Sequence, residues 1–178
     1  MTPSDLLLYQ RLRRLGIKIP VRMVMAARNA GLSIPLAASI LIQESGGGSS
    51  LWGHDPTIFI GGYDALHKHQ WGPIVTQQAY AEYKKQRGAR GQGGMQGVGP
   101  CQLTFWSVQD EADSLGGCWR PLPNMRVGFR HLAANIRRSG LVAGVAAYNG
   151  TGAAANQYAA TVINRANLFA AQLRLPRP

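Results

Sequence analysis

Apolar residues recur every three or four positions along much of this chain, the mark of helices that bury one face. The clearest stretch is 124–139, where Met125, Phe129, Leu132 and Ile136 form one stripe and arginines occupy the other face. Residues 156–173 repeat the pattern with Tyr158, Val162, Phe169 and Leu173, and residues 141–148 are small and apolar, as in a buried helix. Nearer the N-terminus, Ser4 or Asp5 caps a helix reaching about Leu15, and a short helix over 21–29 is closed by Gly31. Ser33 caps a third helix, with Pro35 in its first turn, where a missing N–H costs little; Gly46-Gly47-Gly48 stops it. Residues 76–87 also have helical spacing. Between these elements, 55–72 is irregular, with Pro56, Gly61, Gly62 and Gly72 and a β-prone stretch at 57–60. Six glycines within 88–100 predict a flexible loop. The expected fold is mainly α with a small irregular or β segment. It forms one domain over 1–178: N-terminal helices in 1–30, a core in 31–174 and a tail in 175–178.

Composition narrows the classes. A hydrophobic content of 46% fits a globular chain and excludes a disordered one. The aliphatic run at 34–42 is interrupted by Ser39 and falls short of the ~20 apolar residues that span a bilayer, so no membrane insertion is expected. Asp5 precedes the first apolar run and arginines follow it, the reverse of a secretory leader. The net charge is +11. No acidic residue follows Asp113, whereas Arg120, Arg126, Arg130, Arg137, Arg138, Arg165, Arg174 and Arg177 do. Arg11, Arg13, Arg14, Lys18, Arg22 and Arg28 form an earlier basic group. Such a field attracts polyanions, either nucleic acid or the acidic polymers of a bacterial envelope. Cys101 and Cys118 lack the paired spacing of a structural zinc site. Two buried free thiols are expected of a chain without an export signal, and one disulfide is the alternative.

Glu44 is the sole acidic residue between Asp5 and Asp55, and it follows Ile40, Leu41 and Ile42 near the end of the third helix. Apolar neighbours and the negative end of the helix dipole both disfavour its charged form and raise its pKa. A glutamate kept protonated near neutrality is what glycoside cleavage requires of a general acid. A surface glutamate at a helix end is the plain alternative.

Three segments bear on that choice: Gln43-Glu44-Ser45-Gly46-Gly47, then Gly97-Val98-Gly99-Pro100-Cys101-Gln102-Leu103-Thr104, then Ala146-Ala147-Tyr148-Asn149-Gly150. In this order they resemble the motifs of the goose-type lysozyme and soluble lytic transglycosylase superfamily, in particular domains of endolysins from phages that infect actinobacteria. Cys101 is an insertion relative to the family pattern. The resemblance implies a lysozyme-like fold and cleavage of the β-1,4 MurNAc–GlcNAc bond in peptidoglycan glycan strands, with no cofactor. It implies that Glu44 protonates the glycosidic oxygen and Ser45 orients substrate or carboxyl. It gives Gln102 the N-acetyl group, has Tyr148 hydrogen-bond Glu44, and lets Asn149 support the site or contact the sugar. The glycines around Val98, Gly99 among them, would let backbone approach the saccharide. Such a protein would be made in a host cytoplasm and act on the bacterial cell wall, where its basic surface would hold it to anionic polymers; no specific nucleic acid is expected.

Asp55 is the second carboxylate. In the family an aspartate after a similar Trp-Gly positions the attacking water, and Trp52-Gly53-His54-Asp55 fits. A turn-forming aspartate before Pro56 is the other reading. A second family aspartate would fall near Thr104, which therefore belongs to the candidate site as a departure from the pattern. Attack by water and attack by the substrate's own C6 hydroxyl both stay open. His54, His67 and His69 read as surface residues rather than metal ligands. Phe59, Tyr63, Trp71, Tyr80 and Tyr83 are candidates for stacking on sugars or for packing on the core.

Overall fold

The computed structural model describes residues 3–53, 74–89 and 96–178, and within them the chain is mainly helical. Helices α1 (Pro3–Arg14), α2 (Pro20–Ala30) and α3 (Ile34–Ser45) come first, then α4 (Gln77–Ala89) and α5 (Trp106–Ser114). The long α6 (Pro121–Ser139), α7 (Leu141–Asn149) and α8 (Gly152–Leu173) complete the order. Their boundaries follow local chemistry. Ser33 accepts a hydrogen bond from the Leu36 N–H at the start of α3, and Gly46 ends that helix in the left-handed conformation, with its own N–H returned to Ile42 and the Gly47 N–H to Leu41. Proline sits in the first turn of α2, α3 and α6, where no donor is lost.

Packing is helix on helix: α6 against α7, α3 and α7 against α8, and α2 against α6. The core runs from Leu12 and Ile17 through Met23, Leu41, Phe129 and Leu132 to Leu173. Each such large side chain, fully buried, contributes roughly 1.5–3 kcal/mol. The buried stripe of α8 is Ala155, Ala159, Val162, Ala166, Ala170 and Leu173. The larger Tyr158 and Phe169, expected on that stripe, lie half-buried at its margin. Small residues let α8 lie close to α3, and the Ser39 hydroxyl donates to the Val162 carbonyl at 2.8 Å across the contact.

Among the described residues the β component consists of isolated antiparallel bridges, Leu51 with Ile74, Trp52 with Val98, and Val98 with Leu103. The β-prone stretch at 57–60 lies outside the described residues. Two sequence expectations are corrected. Residues 96–100 are tied down rather than loose: Gly53 N–H donates to Gly97 at 2.7 Å and Gly99 N–H to Leu51 at 2.9 Å. The start of the tail is also anchored, because Leu175 N–H donates to Ala170 at 2.9 Å and its side chain packs on the core.

One helix, α5, has no apolar periodicity to announce it. It buries Gln109 and Ala112, and Gln109 is a polar hub. Its amide nitrogen donates to the carbonyls of Gln96 and Leu103, both at 2.8 Å, while its oxygen accepts from Arg87 at 2.6 Å and Tyr83 at 3.2 Å. Lys84 reaches Asp113 at 2.6 Å, and Arg87 pairs with Asp110, so α4 is fastened to α5 largely by polar side chains. Tyr80 and Tyr83 are buried in this contact and belong to the core.

Candidate active site

The last turn of α3 carries Glu44 half-buried, with Gln43 exposed and Ser45 buried beside it. Burial raises the Glu44 pKa from 4.5 to about 7, and a hydrogen bond from Tyr158 opposes part of that rise. Near neutrality the side chain is therefore divided between acid and carboxylate. The bond is made by the Tyr158 hydroxyl to Glu44 Oε1, from α8 onto α3. Burial, then the Glu44 charge, pushes the Tyr158 phenol above its ordinary range, so it stays a donor.

The hydrogen bond expected from Tyr148 thus comes from Tyr158. Tyr148 instead donates to the Cys101 carbonyl at 2.9 Å. It remains electrostatically close to Glu44, and burial holds its phenol well above the usual range. Tyr158 carried no motif signal; its place one residue before Ala159, at the edge of the stripe facing α3, is the clue that points to it.

Ser45 is turned inward. Its hydroxyl donates to the Pro100 carbonyl at 2.8 Å and accepts from Gly48 N–H at 3.2 Å. It joins the end of α3 to the 99–102 turn rather than presenting a group to substrate. Gln102 likewise engages its amide nitrogen within the protein, donating to Leu51 at 3.0 Å and Gly99 at 2.9 Å. Its backbone φ of 49° is left-handed, a cost that these two bonds help to offset. Thr104 donates to the Gln102 carbonyl at 3.1 Å, closing the same turn. Asn149 is exposed at the end of α7.

Gly99 has φ 75°, and a Cβ there would come within 2.6 Å of Asn124 Nδ2, so glycine is required twice over. Asn124, which no motif marked, organises the turn from α6. Its oxygen accepts from Cys101 N–H at 2.9 Å, and its nitrogen donates to Val98 at 2.8 Å and Cys118 at 3.1 Å. Gly128, one turn along α6, lets Cys101 approach: a Cβ there would meet Cys101 Cβ at 2.5 Å. Cys101 and Cys118 are both buried and unpaired, as the thiol reading expected. Burial lifts both thiols, Cys118 to about 12, so neither is a thiolate near neutrality.

The structure therefore brings together Glu44, Tyr158, Tyr148 and the turn held by Ser45, Gln102 and Asn124. Asp55 lies outside the described residues, as do His54, Phe59, Tyr63, His67, His69 and Trp71. Chemically, the cluster offers a carboxylic acid whose proton is available near neutral pH, steadied by a phenol. No protein-family model, no curated protein and no solved structure matches this chain.

Proposed function

We propose that this protein cleaves the β-1,4 MurNAc–GlcNAc bond of peptidoglycan glycan strands on a lysozyme-like fold, with Glu44 as general acid. The observation that carries the reading is the Glu44 carboxyl, half-buried at the end of α3 with its pKa raised to about 7. An acid poised there donates its proton to a leaving oxygen far more readily than a carboxylate of ordinary pKa, which is already ionised. Tyr158 occupies Oε1, so Oε2 carries the proton toward the glycosidic oxygen. The order of the Glu44-Ser45, Gly97-to-Gln102 and Ala147-Tyr148-Asn149 segments supports the same reading.

No cofactor enters this chemistry. In the hydrolytic form, Asp55 activates water on the opposite face of the sugar and the cut strand ends in reducing MurNAc. In the transglycosylase form, the MurNAc C6 hydroxyl attacks and the strand ends in 1,6-anhydro-MurNAc, lighter by one water. We favour hydrolysis, because Asp55 follows Trp52-Gly53-His54 and a carboxylate there has a clear use. The basic surface holds the enzyme to the anionic polymers of the wall.

Digestion of purified peptidoglycan followed by mass spectrometry of the released fragments tests both levels. Reducing MurNAc ends are expected. Anhydro ends would replace hydrolysis by transglycosylation and leave Glu44 in its role. Intact strands after prolonged incubation would refute glycan cleavage.

A further inference from the structure

Helices α1 and α2 form a hairpin whose outer face is unusual. The Arg28 guanidinium pairs with Asp5 at 3.2 Å, so the end of α2 lies beside the start of α1 and the two run antiparallel. Their inner face is filled by Leu12, Met23, Val24, Ala26 and Ala27, all fully buried. On the outside, Leu6 is 52%, Leu7 47% and Met25 48% exposed. The antiparallel register sets the two leucines near the level of Met25. Arg13, Arg14, Lys18 and Arg22 are exposed at the other end of the hairpin. Asp5, paired to Arg28, is the one acidic residue in the first 43 positions.

We infer that this face docks on the surface of an anionic lipid bilayer, lying along it without crossing it. Exposed leucine and methionine at one end of a hairpin that carries cations at its other end can bury apolar side chains at the acyl boundary while arginines meet lipid phosphates. A second copy of the chain fits poorly, because it would bring two sets of like charges together. A wall polymer or nucleic acid would use the arginines and leave the leucines in water. Among the described residues no helix is long and apolar enough to span a bilayer, which fits peripheral contact. The inference is independent of the glycan-cleaving reading, since none of these side chains belongs to the Glu44 site.

Co-sedimentation with phosphatidylcholine vesicles, with and without phosphatidylglycerol, tests it. Binding should be at least about tenfold stronger on the anionic vesicles, since each basic side chain near such a surface contributes. Leu6→Ser with Leu7→Ser should weaken that binding roughly fivefold or more, because transfer of exposed leucine is lost. Arg13→Glu with Arg14→Glu should weaken it as much again. Met25→Ser, on the other helix, should act in the same direction and gives a second reading if the leucine variant melts early. The inference is overturned if wild-type protein ignores anionic vesicles. It is equally overturned if the leucine and methionine variants bind like wild type while only the arginine variant fails, since that is plain polyanion adsorption. A wild-type dimer in sedimentation that Leu6→Ser with Leu7→Ser turns to monomer would give the face to a second copy instead.

Discussion

Replacing Glu44 by glutamine should stabilise the protein, and only at pH values where glutamate is ionised. The carboxyl has a pKa of about 7 in the folded chain against 4.5 when fully solvated. A raised acid pKa means that the folded state binds the proton more tightly than the unfolded state does. Below the unfolded value both states are protonated and Glu44 costs nothing. As pH rises, the unfolded chain ionises first and stability falls, until the folded carboxyl has also lost its proton. The gap corresponds to about 3 kcal/mol at 1.36 kcal/mol per pKa unit. Glutamine keeps the shape, still accepts from Tyr158 and never ionises. The difference in unfolding free energy between Glu44→Gln and wild type should therefore be near zero at about pH 4 and approach about 3 kcal/mol by about pH 8. All other titrating groups are shared and cancel. Urea denaturation followed by circular dichroism across that range measures it, and linear extrapolation resolves a change of this size. A difference that is constant with pH would refute the buried, proton-holding carboxyl.

Tyr158→Phe removes a bond that lowers the Glu44 pKa, so the alkaline limb of wall clearing should move upward by roughly one pH unit. Tyr148→Phe, whose hydroxyl serves Cys101, should shift that limb much less; the reverse ranking would return Tyr148 to the role expected from the motif. Asn124→Ala strips partners from Cys101 N–H and the Val98 carbonyl. It should cost about 2–4 kcal/mol in urea unfolding, and a loss under about 1 kcal/mol would contradict its place as organiser of the turn. Salt above about 0.3 M should weaken binding to whole walls far more than cleavage of short soluble oligosaccharides, because screening shortens the Debye length to well below ~10 Å. Equal sensitivity in pull-down and turnover would remove the electrostatic role of the arginines.

Much of the architecture is legible in the residues. The end of α3 at Gly46 and the stripe on α6 follow from periodicity and glycine placement, whereas α7 buries only Gly144, Val145 and Ala146 and leaves Val142 exposed, and the α8 stripe is built mainly of alanines rather than of Tyr158 and Phe169. Helix α5 escaped because its buried contacts are a glutamine and an alanine, and Gln109 makes sense only beside Tyr83, Arg87 and Gln96, far from it in sequence. The site divides in the same way. Glu44 stands out because one carboxylate follows an apolar run near the end of a helix. Which tyrosine reaches it depends on how α8 crosses α3, and no motif encodes a crossing. Ser45 and Gln102 look like substrate ligands in a linear reading. In three dimensions the Ser45 hydroxyl and the Gln102 amide nitrogen are taken up by Pro100, Leu51 and Gly99, because a tight turn must satisfy its own carbonyls.

The most direct test is the rate at which Glu44→Gln clears a suspension of purified peptidoglycan, set beside wild type at the same wall-bound concentration. Loss of a general acid should slow clearing by ~10² to 10⁴ while binding to the walls and the folded circular dichroism spectrum stay unchanged. Clearing within a few-fold of wild type would show that the proton comes from elsewhere and that Glu44 is not the acid.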